Sequence, residues 1–79
     1  MKKVLIITGG SGGIGKATAL LFSERGYSVY ELSRHGKSEN GITHIDADVT
    51  DSEQLAGAVK QVIEKEGRVD VLICNAGYG

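Results

Sequence analysis

The chain begins with charged Lys2 and Lys3, passes into four consecutive apolar residues, Val4-Leu5-Ile6-Ile7, and then breaks into glycines. An uninterrupted apolar run of this length predicts a strand buried on both faces. Ile14, Ala17, Thr18, Leu21 and Phe22 recur at helical spacing, and Gly26 is placed to end that helix as a C′ residue. Ser28 to Ser33 (SVYELS) reads as a second strand, His35 to Gly41 as a polar loop with two glycines, and Thr43 to Ala47 as a third strand. Thr50-Asp51-Ser52-Glu53 matches a capping box with Thr50 as the N-cap. Leu55, Ala58, Val59, Val62 and Ile63 then share one helical face, and Gly67 stops the helix. Gly57 inside it costs about 1 kcal/mol relative to alanine, so close packing is its expected use. Val69 to Cys74 reads as a fourth strand, with Cys74 a small buried hydrophobe and Asn75-Ala76-Gly77 a turn.

Buried strands alternating with amphipathic helices predict an α/β layer built on a parallel sheet. Right-handed crossovers leave few arrangements. With strand two beside strand one and strand four on the other side, the order is 3-2-1-4, half of a doubly wound Rossmann sheet with one helix on each face. Strands one and four then flank the switch point at which nucleotides bind. The expected organisation is a single partial nucleotide-binding domain over residues 1–79, truncated after strand four.

The segment Thr8 to Gly15, TGGSGGIG, lies between the first strand and the first helix. Glycines let backbone approach an anion closely, and a helix start offers unpaired N–H groups to a phosphate. A P-loop is excluded, because Lys16 is followed by Ala17 and no hydroxyl is supplied for magnesium. A plain tight turn needs one or two glycines, whereas this segment holds five.

The four spaced features TGGSGGIG at 8–15, Ser33-Arg34, Asp48-Val49 and Asn75-Ala76-Gly77 together resemble the N-terminal part of the short-chain dehydrogenase/reductase family, over all 79 residues. Thr8, Gly9, Gly13 and Gly15 match the TGxxxGxG pattern of the compact members. Gly9, Gly12 and Gly15 also match the GxxGxxG of the extended, epimerase-type branch, and Asn75-Ala76-Gly77 favours the compact one. The family commonly has Asn-Asn-Ala-Gly there, and this chain carries Cys74 in the first position. By position, the resemblance implicates Gly9, Ser11, Gly13, Ile14 and Gly15 in holding the pyrophosphate and adenosine ribose of a nicotinamide dinucleotide, with Gly15 allowing helix and strand to pack closely. It also implies that Asp48 meets the adenine amino group and that Val49 lies along the adenine ring. The alternative for Asp48 is to order the turn before the second helix. Asn75, Ala76 and Gly77 would shape the site beside the cofactor, Asn75 by bridging neighbouring strands.

An acidic residue at the end of strand two would accept a ribose hydroxyl and repel a 2′-phosphate. This chain has Ser33 followed by Arg34. A small polar residue and then a guanidinium fork suit a phosphate in charge and geometry, so the expected cofactor is NADP rather than NAD. Glu31 lies two positions too early to act as that acid. His35 and His44 have no partner at metal-ligand spacing and read as a loop residue and a strand-edge residue, so no metal ligand is assigned.

Net charge is −1, from nine basic and ten acidic residues, with no tryptophan and no basic stripe, which argues against nucleic acid. The apolar runs are too short for a membrane span or a secretory leader, and the lone cysteine fits a reducing cytoplasm. In the resembled family, hydride transfer uses a Ser and a Tyr-x-x-x-Lys. Here Tyr27 leads to Glu31 and Tyr30 to Arg34, so no catalytic residue is assigned and the chain alone is expected to be inactive. Two readings follow: a truncated piece of an NADP-dependent oxidoreductase acting on a carbonyl or alcohol, or a free-standing nucleotide-binding or interaction module. The first leaves strand four as an open apolar edge, through which the chain is expected to self-associate.

Overall fold

The computed structural model describes residues 2–9 and 13–75. Its elements run β1 (Val4–Thr8), α1 (Gly13–Glu24), β2 (Ser28–Ser33), β3 (Ile42–Asp46), α2 (Ser52–Glu66) and β4 (Val71–Cys74). All strand pairs are parallel, in the order β3-β2-β1-β4. That is the expected half of a Rossmann sheet.

β1 is central, and every one of its residues is buried. Strand alternation sends its side chains to two cores. Val4 and Ile6 join Tyr30, Leu32, Ala47, Ala58 and Val62 on the α2 side. Leu5 and Ile7 join Ala19, Val29 and Ile42 on the α1 side. Each such aliphatic side chain contributes about 1.5–3 kcal/mol by leaving water, which is why β1 contains no polar residue before Thr8.

α1 meets the sheet through a different stripe from the one the apolar spacing suggests. Gly15 and Ala19 are buried, with Leu20 and Phe22 packed beside them, whereas Leu21 is exposed and Ile14 is 81% exposed. The two small residues let the helix axis come close to the strands, and that close approach turns the bulkier Ile14 and Leu21 outward. The Phe22 and Tyr27 rings then meet edge to face, 4.9 Å apart, where the chain turns from α1 into β2. Gly26 takes φ +89° at that turn.

α2 buries Ala58 and Val62, with Leu55 and Val59 against the same core; Ile63 of the expected face is exposed. Its N-cap is Asp51 rather than Thr50. The Asp51 carboxylate accepts from the N–H groups of Glu53 and Gln54 at 2.9 and 3.4 Å. Thr50 turns back instead, its hydroxyl donating to Asp48 Oδ1 at 2.6 Å. Gly67 ends the helix in the left-handed region, its N–H bonded to the Ile63 carbonyl. Among the described residues, no heavy atom outside the helix's own neighbourhood lies within 4 Å of a Cβ built on Gly57, so close packing does not explain that glycine.

β3 and β4 begin at positions other than those the pattern suggests. β3 starts at Ile42 because a tight Asn40-Gly41 turn, both residues at positive φ, pairs Glu39 with Ile42. β4 starts at Val71 because Asp70 Oδ2 accepts the Val4 N–H at 2.8 Å, putting a side chain where a ladder bond would stand. Cys74 is exposed, not buried. β4 is the outer strand of the sheet, and its residues alternate between half-buried and exposed. No helix among the described residues is long and apolar enough to cross a membrane.

Candidate functional site

The carboxyl ends of β1, β2 and β3 converge because the ladder continues one residue past each strand. The Gly9 N–H donates to the Leu32 carbonyl, and the Ala47 N–H to the Ser33 carbonyl, both at 3.0 Å. Around these junctions lies a cleft of about 210 Å³ lined by Gly9, Leu32, Ser33, Arg34, Ala47, Asp48, Val49 and Thr50. Five of the residues singled out in the sequence, Gly9, Ser33, Arg34, Asp48 and Val49, thus share one wall.

Gly9 has φ +70° and Gly13 φ +60°. Side chains rarely tolerate this region, so the turn out of β1 and the entry into α1 both require glycine. Gly13, Ile14 and Gly15 form the first turn of α1, outside the lining of the cleft. Ser11, Ala76 and Gly77 lie outside the described residues. Asn75 sits where β4 meets β1: its N–H donates to Thr8 Oγ1 at 3.0 Å, and its Nδ2 reaches the Gly9 carbonyl at 3.4 Å.

The Asp48 carboxylate is held below its usual range by hydrogen bonds from Thr50, with Arg34 adding attraction. Its backbone N–H donates to Gln54 Oε1 at 2.8 Å. Asp48 therefore does order the turn into α2, whatever else it meets. Ser33 Oγ is buried and has no hydrogen-bond partner among the described residues. A buried hydroxyl left unpaired is costly, and a ligand reaching the end of β2 would satisfy it. The donors, the glycine backbone and this orphaned hydroxyl fit the adenosine half of a dinucleotide.

A second cleft of about 600 Å³ lies on the α1 side, lined by Lys16, Glu31, Arg34, His35, Gly36, Lys37, Glu39, Ile42 and Asp46. Arg34 lines both clefts. The sequence reading set Glu31 aside and took His44 for a strand-edge residue; the structure pairs them. They are register neighbours on β2 and β3, with His44 Nδ1 2.5 Å from Glu31 Oε1 and His44 Nε2 2.5 Å from Asp46 Oδ1. Burial pulls the His44 pKa down, but hydrogen bonds to Asp46 and Glu31 and the charges of both outweigh it and hold the pKa above its ordinary value. The available signal was a glutamate sharing a strand face with Val29, inside a run otherwise fit for burial. Among the described residues, no group of three or more His, Cys, Asp or Glu could hold a metal ion.

Comparison with known proteins agrees with this architecture. A 3-ketodihydrosphingosine reductase from Bacteroides thetaiotaomicron is 45% identical over 78 residues, taking in 98% of this chain and 29% of that protein. The ligand-free aldohexose dehydrogenase of Thermoplasma acidophilum superposes with TM-score 0.92 at 39% identity, over 96% of this chain and 30% of its own. ElxO with NADP bound superposes with TM-score 0.89 at 39% identity, over 100% of this chain and 36% of its own. The chain thus spans about a third of the length of the proteins it matches. The sheet is parallel in the order 3-2-1-4 and the short chain dehydrogenase profile matches residues 3–79: the chain belongs to the short-chain dehydrogenase family.

Proposed function

We propose that this chain is the NADP-binding segment of a short-chain oxidoreductase whose substrate is a carbonyl or an alcohol. The observation that carries the reading is the convergence of Gly9, Ser33, Arg34, Asp48 and Val49 on one cleft at the carboxyl ends of β1, β2 and β3. Gly9 and the first turn of α1, Gly13, Ile14 and Gly15, would hold the pyrophosphate, together with Ser11. Ser33 and Arg34 would take the ribose and its 2′-phosphate, the guanidinium supplying two parallel donors to the phosphate oxygens. Asp48 would accept from the adenine amino group and Val49 would pack on the ring. Asn75, Ala76 and Gly77 would shape the site beside the cofactor. Bound nicotinamide supplies or takes up the hydride.

The bound NADP of ElxO supports a nicotinamide dinucleotide here by likeness; the preference for NADP over NAD rests on Ser33 and Arg34. Arg34→Ala tests it. The variant should lose most of its NADP affinity while its NAD affinity changes little, and an unchanged ratio of the two would sink the assignment. The outer edge of β4, where Leu72 is 51% exposed, fits pairing with a further strand, from elsewhere in the polypeptide or from a second copy.

A further inference from the structure

Glu31 is out of place in its strand. It is 2% exposed, and its Oε2 is buried without a hydrogen-bond partner among the described residues. It also lines the cleft that Arg34 shares with the adenosine site. A buried carboxylate in a cleft that Arg34 also lines should repel a phosphate held by Arg34, as an acidic residue at the strand end does. His44 is the compensating group, in contact with Oε1 and placed directly across the β2–β3 ladder.

The same pair anchors the loop that carries Arg34. A Cβ on Gly36 would stand 2.7 Å from Glu31 Oε1 and 2.8 Å from His44 Nδ1, so the loop backbone lies directly on the pair. The His44 N–H donates to Ser38 Oγ at 2.9 Å. The loop is held further along by Lys16 to Glu39 at 3.3 Å and by Ser23 Oγ donating to the Asn40 carbonyl at 3.2 Å.

We infer that His44 is a specificity-determining positioning residue: as an imidazolium it cancels the Glu31 charge and seats the Arg34 loop, and so allows a 2′-phosphate to be accepted beside a buried glutamate. This rests on the NADP reading above. The charged and titratable groups around His44 are Glu31 from β2, Asp46 from β3, Arg34, His35, Lys37 and Glu39 from the loop, and Lys16 from α1. Asp46 is largely exposed and its charge is screened by water. Glu31 is not, so its compensation depends on His44.

The test is equilibrium binding of adenosine 2′,5′-bisphosphate and of adenosine 5′-phosphate to the full chain, from about pH 6 to about pH 9, which brackets an imidazole held above its ordinary value. In the wild type, the preference for the bisphosphate should fall about tenfold as His44 loses its proton, the size expected for one unit charge at partly buried separation. The phosphate itself gains charge near pH 6, which strengthens pairing with Arg34 in every variant and has the opposite sign. His44→Gln should show the weak preference at every pH, with the fall abolished. Glu31→Gln should keep, even at about pH 9, a preference at least as strong as the wild type shows at about pH 6, because a neutral His44 then leaves no buried charge behind. The double variant should recover the preference that His44→Gln loses, because the repelling charge has gone.

His35→Gln serves as control and should keep the wild-type fall. A His44→Gln variant with the wild-type profile, a double variant as weak as His44→Gln, or a fall that vanishes in His35→Gln would each overturn the inference. If Arg34→Ala removes the preference while His44→Gln leaves it, this inference fails and the NADP reading stands. If the wild type shows no preference, both fail. Should His44→Gln not fold, Glu31→Gln decides the matter: a preference at about pH 9 as weak as the wild type's overturns the inference.

Discussion

The backbone N–H of Asn75 donates to the hydroxyl of Thr8 at 3.0 Å, sixty-seven residues away in sequence. Thr8 is the last residue of β1 and Asn75 the first after β4, so one side chain closes the sheet at its switch point. Thr8→Val keeps the shape and removes the acceptor. It should lower unfolding stability by about 1 kcal/mol, read as a shifted urea midpoint, while Thr8→Ser should stay close to wild type. A Thr8→Val midpoint equal to the wild type's would show that the bond contributes nothing.

The cap of α2 offers a paired test. Asp51→Ala removes the acceptor for two helix-start N–H groups and should cost about 1 kcal/mol. Thr50→Ala leaves those groups paired and should cost less, its effect confined to the Asp48 turn. The reverse order, measured by thermal or urea unfolding, would reinstate Thr50 as the cap.

Gly57 points to a stabilising change. Nothing among the described residues lies where its Cβ would stand, and the residue is exposed in mid-helix. Gly57→Ala should raise stability by about 1 kcal/mol, with no change in dinucleotide binding. Loss of stability would mean that a contact forms there in the working protein.

Tyr30 carries a pH dependence with a defined sign. Its hydroxyl donates to the Glu66 carboxylate, tying β2 to the end of α2. Burial first, then that hydrogen bond and the Glu66 charge, push its pKa from 10.0 up to about 12. The folded state therefore holds the proton longer than the unfolded chain. The stabilisation is complete below about pH 10 and is lost as the pH climbs toward 12. Tyr30→Phe should remove that alkaline loss and the late step in phenolate absorbance. A late step persisting in Tyr30→Phe would assign it to another tyrosine.

Local pattern determined the elements and their order. A β1 that is apolar up to Thr8 belongs at the centre, and helices alternating with buried strands are laid over a parallel sheet. Spacing placed the glycine turn, Ser33-Arg34 and Asp48-Val49 at or just past the ends of β1, β2 and β3; what each would bind came from the resemblance to the family. Tertiary structure decided what depends on neighbours far along the chain. The face of α1 was set by how closely Gly15 and Ala19 let the helix approach, not by where its largest apolar residues fall. Asp51 rather than Thr50 became the cap because the Thr50 hydroxyl found Asp48 instead. Glu31 and His44 meet only because β2 and β3 pair in one particular register, thirteen residues apart in sequence. A buried carboxylate is tolerated only beside a partner, and that partner is visible only once the strands are laid side by side.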